Sequence, residues 1–589
     1  QPLVSLIFKY PRSYSAPMRN ENYVKKWATI LFLSILTGIV GGLGAVVFRE
    51  MISFTRLLFF DILLPHISIY YHGYNLGYIL LPAIGGLIVA PLIKSHPELK
   101  GNGIPEVIEA VIFKRGEIKG KLAVLKVVAT SITIGSGGSV GREGPIGFIG
   151  ASLASALAQT FKLSPELKKL LTTCGLAAGI AGTFNTPFAG AMFALEVVYM
   201  GIFSINLVPI FLSAVVANTV TLLFLGDAFE VNIPLQIAHN HSELLFLFLM
   251  GLLFGVLAAY WVKFLFWLID RFEAIKTPLW TKLFVGGLSV GFIGMFFPRY
   301  GILGVGYEAM ELAIAGLLPL TTLILLGIGK MMATSLTISS GHSGGIFAPS
   351  LYIGALLGAA YGTVLKLFFP AIEINPAVYA LAGMAAFFSG ITQAPINQIL
   401  MVAELTRGYA LLPGVITSAT TSFLTARFIL KGSSVYTLKL ERRGLHVKTG
   451  HPIVLETIPV GEIMTTNPVF VYKWNTLKYV EELVAETGHD CFPVVDEQMN
   501  VLGIVGIKDF LNLSHRIKAL PIERFLRKEY GVGYLNETAQ DAFEKLMKHD
   551  QNLLPIIESP ENKRLIGVVT KRDIYKAYYR ALKEMYIEE

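Results

Sequence analysis

The stretch Gly135-Ser136-Gly137-Gly138-Ser139-Val140-Gly141-Arg142-Glu143-Gly144-Pro145 interrupts two apolar segments, Leu122–Ile134 and Ile146–Phe161, and leaves a glutamate in the gap. An ionisable group at membrane depth is costly, and where it occurs it marks function. The glycines free the backbone, and the segment after Glu143 reads as a helix. Glu143 is then expected at a helix N-terminus inside the bilayer, where unpaired N–H groups and the helix dipole favour negative charge. A site that holds a carboxylate also holds a free anion, and the two compete for it. Glu143 therefore reads as a gate on an anion path. The rival reading, a loop glutamate capping a helix of a soluble protein, does not fit flanks this apolar.

The surrounding composition points the same way. The chain's 589 residues are 53% hydrophobic and 15% charged, with a mean hydropathy of +0.59, too apolar for an ordinary soluble protein. A membrane-spanning helix needs about 20 residues, somewhat fewer if the bilayer adapts. Trp27–Val47 and Leu244–Trp261 meet that length, and Leu283–Phe297 is a shorter candidate. With 57 Gly and 28 Pro breaking the apolar runs, short, tilted and discontinuous helices are expected, of the kind tolerated where they line a cavity or pack against protein. Membrane lipid is thus an expected partner.

The net charge of +8 is not a nucleic-acid signal, because the basic residues gather where a cytoplasmic face would lie. Lys9, Arg12, Arg19, Lys25 and Lys26 precede the first span with Glu21 opposing them, so the N-terminus is expected in the cytoplasm. Asp227–Glu243 has no Lys or Arg and is expected outside. Cys174 and Cys491 lie in different regions and imply no disulfide framework. No cleavable signal peptide is evident.

Charge density rises near residue 440. The expected organisation is an N-terminal cytoplasmic segment (1–22), a membrane domain (23–440), a linker (441–457) and a soluble, cytoplasmic domain (458–589). The membrane domain repeats itself. Gly175, Gly182, Pro187 and Glu196 recur as Gly383, Gly390, Pro395 and Glu404, at an offset of 208. Gly141, Pro145, Gly150 and Ala151 recur as Gly345, Pro349, Gly354 and Ala355, at an offset of 204. Transporters often contain two such halves, inverted, with the substrate site between them. The soluble domain is also duplicated: Thr476–Thr487, Cys491–Val495 and Leu502–Asp509 match Thr538–His549, Leu553–Ile557 and Leu565–Asp573, each a helix, two short strands and a second helix.

Four segments, in order, resemble the CLC family of chloride channels and chloride/proton exchangers. They are Gly101-Asn102-Gly103-Ile104-Pro105, Gly141-Arg142-Glu143-Gly144-Pro145, Gly345-Ile346-Phe347-Ala348-Pro349, and Tyr436 in Ser433-Ser434-Val435-Tyr436-Thr437-Leu438. The C-terminal pair resembles tandem CBS modules. The resemblance implies an all-α polytopic membrane domain of two repeats with broken helices, a cytoplasmic α/β CBS pair, and a homodimer with one pore in each subunit. It implies chloride or another inorganic anion as cargo, held by Asn102, Gly103, Arg142, Gly144, Ile346, Phe347, Ala348 and Tyr436 and gated by Glu143. Backbone N–H groups of Ile346 and Phe347 can hold an anion without a full buried positive charge, which would bind too tightly for turnover. The Tyr436 hydroxyl is one uncharged donor; as an interfacial anchor it would do something else. Lys126, 17 residues before Glu143, stands where the family often has a buried lysine that raises the local positive potential; a snorkelling lysine is the alternative.

Two departures from the family pattern matter. Asn102 replaces the usual serine; its NH₂ can donate to an anion, or the residue caps a helix, and some branches with altered first motifs favour other anions, including fluoride. Val197 falls where many exchangers carry an inner proton-relay glutamate, with Glu196 beside it expected to be structural. Valine carries no proton, which leans the reading toward passive or gated conduction, with chloride/proton exchange as the alternative. In the CBS pair, Thr570-Lys571-Arg572-Asp573 fits a Ser/Thr-x-x-Asp segment that binds ATP or another adenine nucleotide, with His489 stacking on the base; a purely structural pair is the other option. A CBS-regulated cation transporter would need clustered membrane carboxylates, and the intramembrane acids here are scattered. No nucleophile–base constellation points to an enzyme, and no metal ligands are expected.

Overall fold

A computed structural model describes residues 20–199, 207–226, 243–406, 409–445, 455, 458–507, 514–526 and 529–585. Lys9, Arg12 and Arg19, the loop 227–242, most of the linker, and Lys508 and Asp509 lie outside the described residues. The chain forms two compact units, Gln1–His446 and Val447–Glu589.

Among the described residues of the first unit, the secondary structure is helical apart from a small hairpin pairing Tyr70–Tyr71 with Tyr74–Asn75. Among the described residues, six helical segments are long and apolar enough to cross a membrane: Val24–Ile67, Gly77–Ser95, Leu207–Leu225, Leu244–Ala274, Leu320–Ser340 and Phe347–Phe368. The expected spans Trp27–Val47 and Leu244–Trp261 fall inside longer helices, Asn20–Arg56 and Leu244–Ala274. The shorter candidate corresponds to Leu279–Gly294.

The sequence repeat is a structural repeat with a two-fold relation, read from reciprocal contacts. Gly141 N donates to Gly345 O at 2.7 Å, and Gly345 N donates to Gly141 O at 2.7 Å, in an antiparallel bridge. The hydroxyls of Thr130 and Ser343 share a hydrogen bond of 2.8 Å, and those of Ser139 and Thr334 one of 3.3 Å. Glu196 accepts from Ile396 N (3.2 Å) and Asn397 N (2.8 Å), while Glu404 accepts from Phe188 N (2.9 Å) and Ala189 N (2.7 Å). In each case residue i of one half meets the equivalent of j in the other, and the reverse, which is the signature of a two-fold axis. The antiparallel bridge also sets the direction. The helices Glu143–Thr160 and Phe347–Phe368 begin two residues after it and leave head to head, so the two halves are inverted.

Small residues allow the close packing this requires. A Cβ added at Gly175 would lie 2.5 Å from Ala154 Cβ, and one added at Gly354 would lie 2.8 Å from Met384 Cα. Such contacts let helix backbones touch where no hydrophobic effect drives association.

The second unit shows the expected duplication. Cys491–Val495 pairs antiparallel with Val501–Gly506, and Leu553–Ile557 pairs antiparallel with Leu565–Thr570; each hairpin has a register shift before its last pair. Val471–Tyr472 adds a parallel strand to the first hairpin. The helices Leu477–Thr487 and Ala539–Lys548 are capped by Thr476 and Thr538, whose hydroxyls accept from the third helical N–H. Val495, Val501, Ile504, Leu553, Ile557, Leu565 and Val568 form a buried cluster joining the two hairpins.

Candidate functional site

Glu143 is the first residue of its helix and its side chain is fully buried. The carboxylate reaches across the two-fold to the other half. Oε2 accepts from Ala348 N at 3.2 Å, and Oε1 accepts from the Tyr307 hydroxyl at 2.7 Å. Ala348 is the second residue of the Phe347 helix, so its N–H is one of the donors that no intrahelical carbonyl can satisfy. The carboxylate therefore sits on a helix N-terminus that suits any small anion. Arg142 places its guanidinium 5.7 Å from the centre of the Tyr307 ring and adds positive charge beside the carboxylate.

The remaining expected residues converge on this point to different degrees. Asn102 adjoins Gly144: a Cβ on Gly144 would lie 2.9 Å from Asn102 O. Asn102 is not the N-cap of the helix Ile104–Phe113, a place Gly103 takes; from one position earlier its Oδ1 accepts from Ile104 N at 3.0 Å, a turn bond to the first helical N–H, and that leaves its NH₂ as the group able to meet an anion. Gly103 has φ +85, and a Cβ there would lie 2.7 Å from Phe148 Cβ, so only glycine fits this turn. Lys126 does not snorkel. It is fully buried, and its Nζ donates to Leu99 O at 2.8 Å and Gly101 O at 2.6 Å, holding the segment that leads into Asn102. Ile346 is the N-cap of the second helix and Phe347 its first residue. Tyr436 is buried, with its ring 6.1 Å from Phe193, which lies 5.7 Å from Phe347. An aromatic chain thus connects it to the facing helix N-terminus.

Two residues escaped the sequence reading. Tyr307 touches the candidate gate directly. Lys330 is fully buried and donates to Gly301 O (2.7 Å), Ile302 O (3.3 Å) and Gly304 O (2.7 Å), in the loop leading to Tyr307. The signal for Lys330 was present, since it stands 204 residues after Lys126. Likewise Gly304-Val305-Gly306 echoes Gly101-Asn102-Gly103.

Val197 is buried, and the adjacent Glu196 carboxylate is engaged by the two N–H groups of the Pro395 helix. Glu196 thus has the structural role expected of it. Among the described residues there is no cluster of three or more His, Cys, Asp or Glu side chains fit to hold a metal.

In the second unit, Thr570 and Asp573 bind each other. The Thr570 hydroxyl donates to Asp573 Oδ2 at 2.6 Å, Thr570 N donates to the same oxygen at 3.0 Å, and Asp573 N returns a bond to the hydroxyl at 3.2 Å. This is a capping box on Lys571–Met585. His489 packs its ring 6.3 Å from that of Phe492. Its neighbour Asp490 accepts from Asn552 Nδ2 at 3.4 Å, and Asn552 O accepts from Lys571 N at 3.4 Å. The structure therefore brings the His489 and Thr570 segments to one edge of the paired hairpins.

Comparison with known proteins now gives these features a family. The model for the voltage gated chloride channel family matches residues 85–427, and that for the CBS domain matches 460–516 and 534–580. The H(+)/Cl(-) exchange transporter ClcA of Vibrio cholerae serotype O1 (strain M66-2) is 30% identical over 450 residues, covering 74% of this chain and 94% of the relative. The ClcA of Klebsiella pneumoniae is 29% identical over 423 residues, covering 70% and 88%. A solved slow cyanobacterial Cl-/H+ antiporter superposes with a TM-score of 0.63 at 26% identity, covering 70% of this chain and 97% of that one. A eukaryotic CLC transporter superposes with a TM-score of 0.62 over 93% of this chain and 98% of its own; at 19% identity this speaks to fold alone. With its inverted repeat, its carboxylate on a facing helix N-terminus and its duplicated C-terminal unit, the chain belongs to the CLC family of multi-pass membrane proteins and carries a C-terminal pair of CBS domains.

Proposed function

We propose that this chain exchanges chloride for protons across a membrane, with Glu143 alternating between the two. The observation that carries the reading is the seat of its carboxylate, on the Ala348 N–H of the opposing half. Protonation removes the charge, weakens that hydrogen bond and frees the donor for an anion; the returning carboxylate expels the anion. Asn102, Gly103, Arg142, Gly144, Ile346, Phe347, Ala348 and Tyr436 are the proposed anion surroundings, and Lys126 supports them with buried positive charge. Exchange is favoured over passive conduction because relatives 29–30% identical over most of their length are H(+)/Cl(-) exchange transporters.

One observation favours the second reading, passive or gated conduction. Val197 cannot relay a proton, and Glu196 beside it is committed to a helix terminus. Reversal potentials of the purified protein in liposomes, under separate chloride and pH gradients, decide the matter. A chloride gradient that drives protons uphill supports exchange; a potential that tracks chloride alone overturns it.

The family resemblance extends the proposal to a homodimer with one path per subunit, both termini in the cytoplasm, and an adenine nucleotide near His489, Thr570 and Asp573. Asp573 Oδ2 already accepts from Thr570, which leaves Oδ1 for a ribose hydroxyl. Calorimetry of the full chain with ATP, ADP and AMP tests this: Asp573→Ala is expected to weaken binding about tenfold, and no heat with any of the three leaves the CBS pair a structural element.

A further inference from the structure

We infer that Tyr307 is a latch on the gating carboxylate: a positioning residue whose hydroxyl holds Glu143 on the facing helix N-terminus until a proton releases it. The inference rests on the reading of Glu143 as the group that competes with the transported anion.

The geometry is that of a two-point clamp. Ala348 N takes Oε2 at 3.2 Å and the Tyr307 hydroxyl takes Oε1 at 2.7 Å, so two separate elements fix both oxygens. The ring of Tyr307 is itself braced by the Arg142 guanidinium at 5.7 Å. Tyr307 opens the helix Tyr307–Ile314, whose N-cap is Gly306 at φ +105. A Cβ there would meet Tyr352 Cδ2 at 2.7 Å, so glycine alone permits the approach. The preceding loop cannot drift, because Lys330 holds three of its carbonyls and the Tyr352 hydroxyl donates to Tyr300 O at 2.9 Å. Tyr307 is thus presented by a rigid support. Since the halves are inverted, that support approaches the path from the face opposite to the Lys126 loop.

A hydroxyl donating to a carboxylate stabilises its charged form. The latch therefore opposes protonation of Glu143 and sets the pH at which the gate lets go. Among the described residues, Arg142, Lys330 and Tyr436 also act electrostatically on Glu143, and all three are retained when Tyr307 alone is changed.

The test uses the full chain in liposomes and reads halide flux against pH. Tyr307→Phe keeps the ring and deletes the donor. Its half-maximal flux is expected to move to higher pH by about one unit, the size set by losing a hydrogen bond to a charged group. In a Glu143→Gln background the same change is expected to have no effect. Tyr307→Leu, which removes ring and hydroxyl together, must shift the profile in the same direction. An unmoved profile for Tyr307→Phe overturns the latch, as does a shift with Leu but not Phe, which would assign the effect to packing against Arg142. An equal shift in the Glu143→Gln background also overturns it. If Glu143→Gln by itself keeps the native pH dependence, the gate reading fails and the latch with it. That outcome is distinguishable from failure of the latch alone, in which Glu143→Gln is flat and Tyr307→Phe is native.

Discussion

In one half of the membrane unit Lys126 ties down Leu99 and Gly101; in the other, 204 residues later, Lys330 ties down Gly301, Ile302 and Gly304. Phe148 and Tyr352 lie at the same offset, and each has a lysine over its ring, at 5.8 Å and 5.1 Å. The scaffold is built twice. At the two helix starts, however, Arg142-Glu143 stands opposite Ile346-Phe347. Glu196 and Glu404 supply the contrast, because there both halves carry a carboxylate and each satisfies the other's helix N-terminus. A symmetric pair of carboxylates uses up the donors on both sides and leaves none for an ion. Glu143 reaches into a half with no carboxylate at the matching position, and on the proposed reading it contests that seat with an anion. On the proposed reading the repeat supplies the scaffold, and the position where Glu143 matches Phe347 supplies the gate.

The largest effect should come from changing that position. Glu143→Gln or Glu143→Ala deletes the competing charge, so flux should lose its pH dependence and rise at neutral pH by about tenfold or more, the equivalent of one charge-assisted hydrogen bond. Liposome flux measured across a pH series checks this, and native pH dependence in both variants would remove Glu143 from the gate.

Next come the twin lysines. Lys126→Met and Lys330→Met each strand buried carbonyls without a donor, at about 1–3 kcal/mol per group. Comparable losses of thermal stability are expected in detergent. Transport should separate them. Lys126→Met should weaken anion binding, since its charge stands behind Asn102, whereas Lys330→Met should move the pH profile through Tyr307. If both change the same transport property, the division of labour between the halves is wrong.

Glu196→Gln and Glu404→Gln test symmetry where it holds. Each keeps one acceptor and loses the charge, so each should cost about 1–2 kcal/mol of stability and leave proton coupling alone. Loss of coupling in Glu196→Gln only would make Glu196 the working neighbour of Val197 and break the equivalence.

Much of this was legible before any coordinates. The glycine break around Glu143, the family motifs and both repeat offsets are patterns of residue types, and such patterns are what a sequence carries. Lys330 was legible in principle, because the offset that relates Gly141 to Gly345 also relates Lys126 to Lys330. Tyr307 was not. Its equivalent in the first half is Ile104 by the Gly-x-Gly alignment, which carries no polar group. Its value lies in a contact across 164 residues that only the inverted packing creates. The same holds for Asp573, whose Ser/Thr-x-x-Asp spacing serves a helix cap as readily as a ribose. The chain pattern cannot separate those roles, and the 2.6 Å bond to Thr570 shows the cap in place.

The smallest expected effect concerns Asn102, where the first half departs from its family. Its Oδ1 accepts from Ile104 N at 3.0 Å. A serine hydroxyl makes the same two-residue turn bond more weakly, so Asn102→Ser should cost folding no more than about 1 kcal/mol. What changes is the donor offered to the path: a longer amide gives way to a shorter hydroxyl. One hydrogen bond altered by about 1 kcal/mol is about fivefold in relative affinity. The ranking among chloride, bromide, nitrate and fluoride, read from bi-ionic reversal potentials, should therefore shift by about that factor while the pH profile stays native. An unchanged ranking would leave Asn102 as a turn residue alone and would assign anion selectivity to backbone donors such as Ala348, on the side of the two-fold that carries no charge at its helix start.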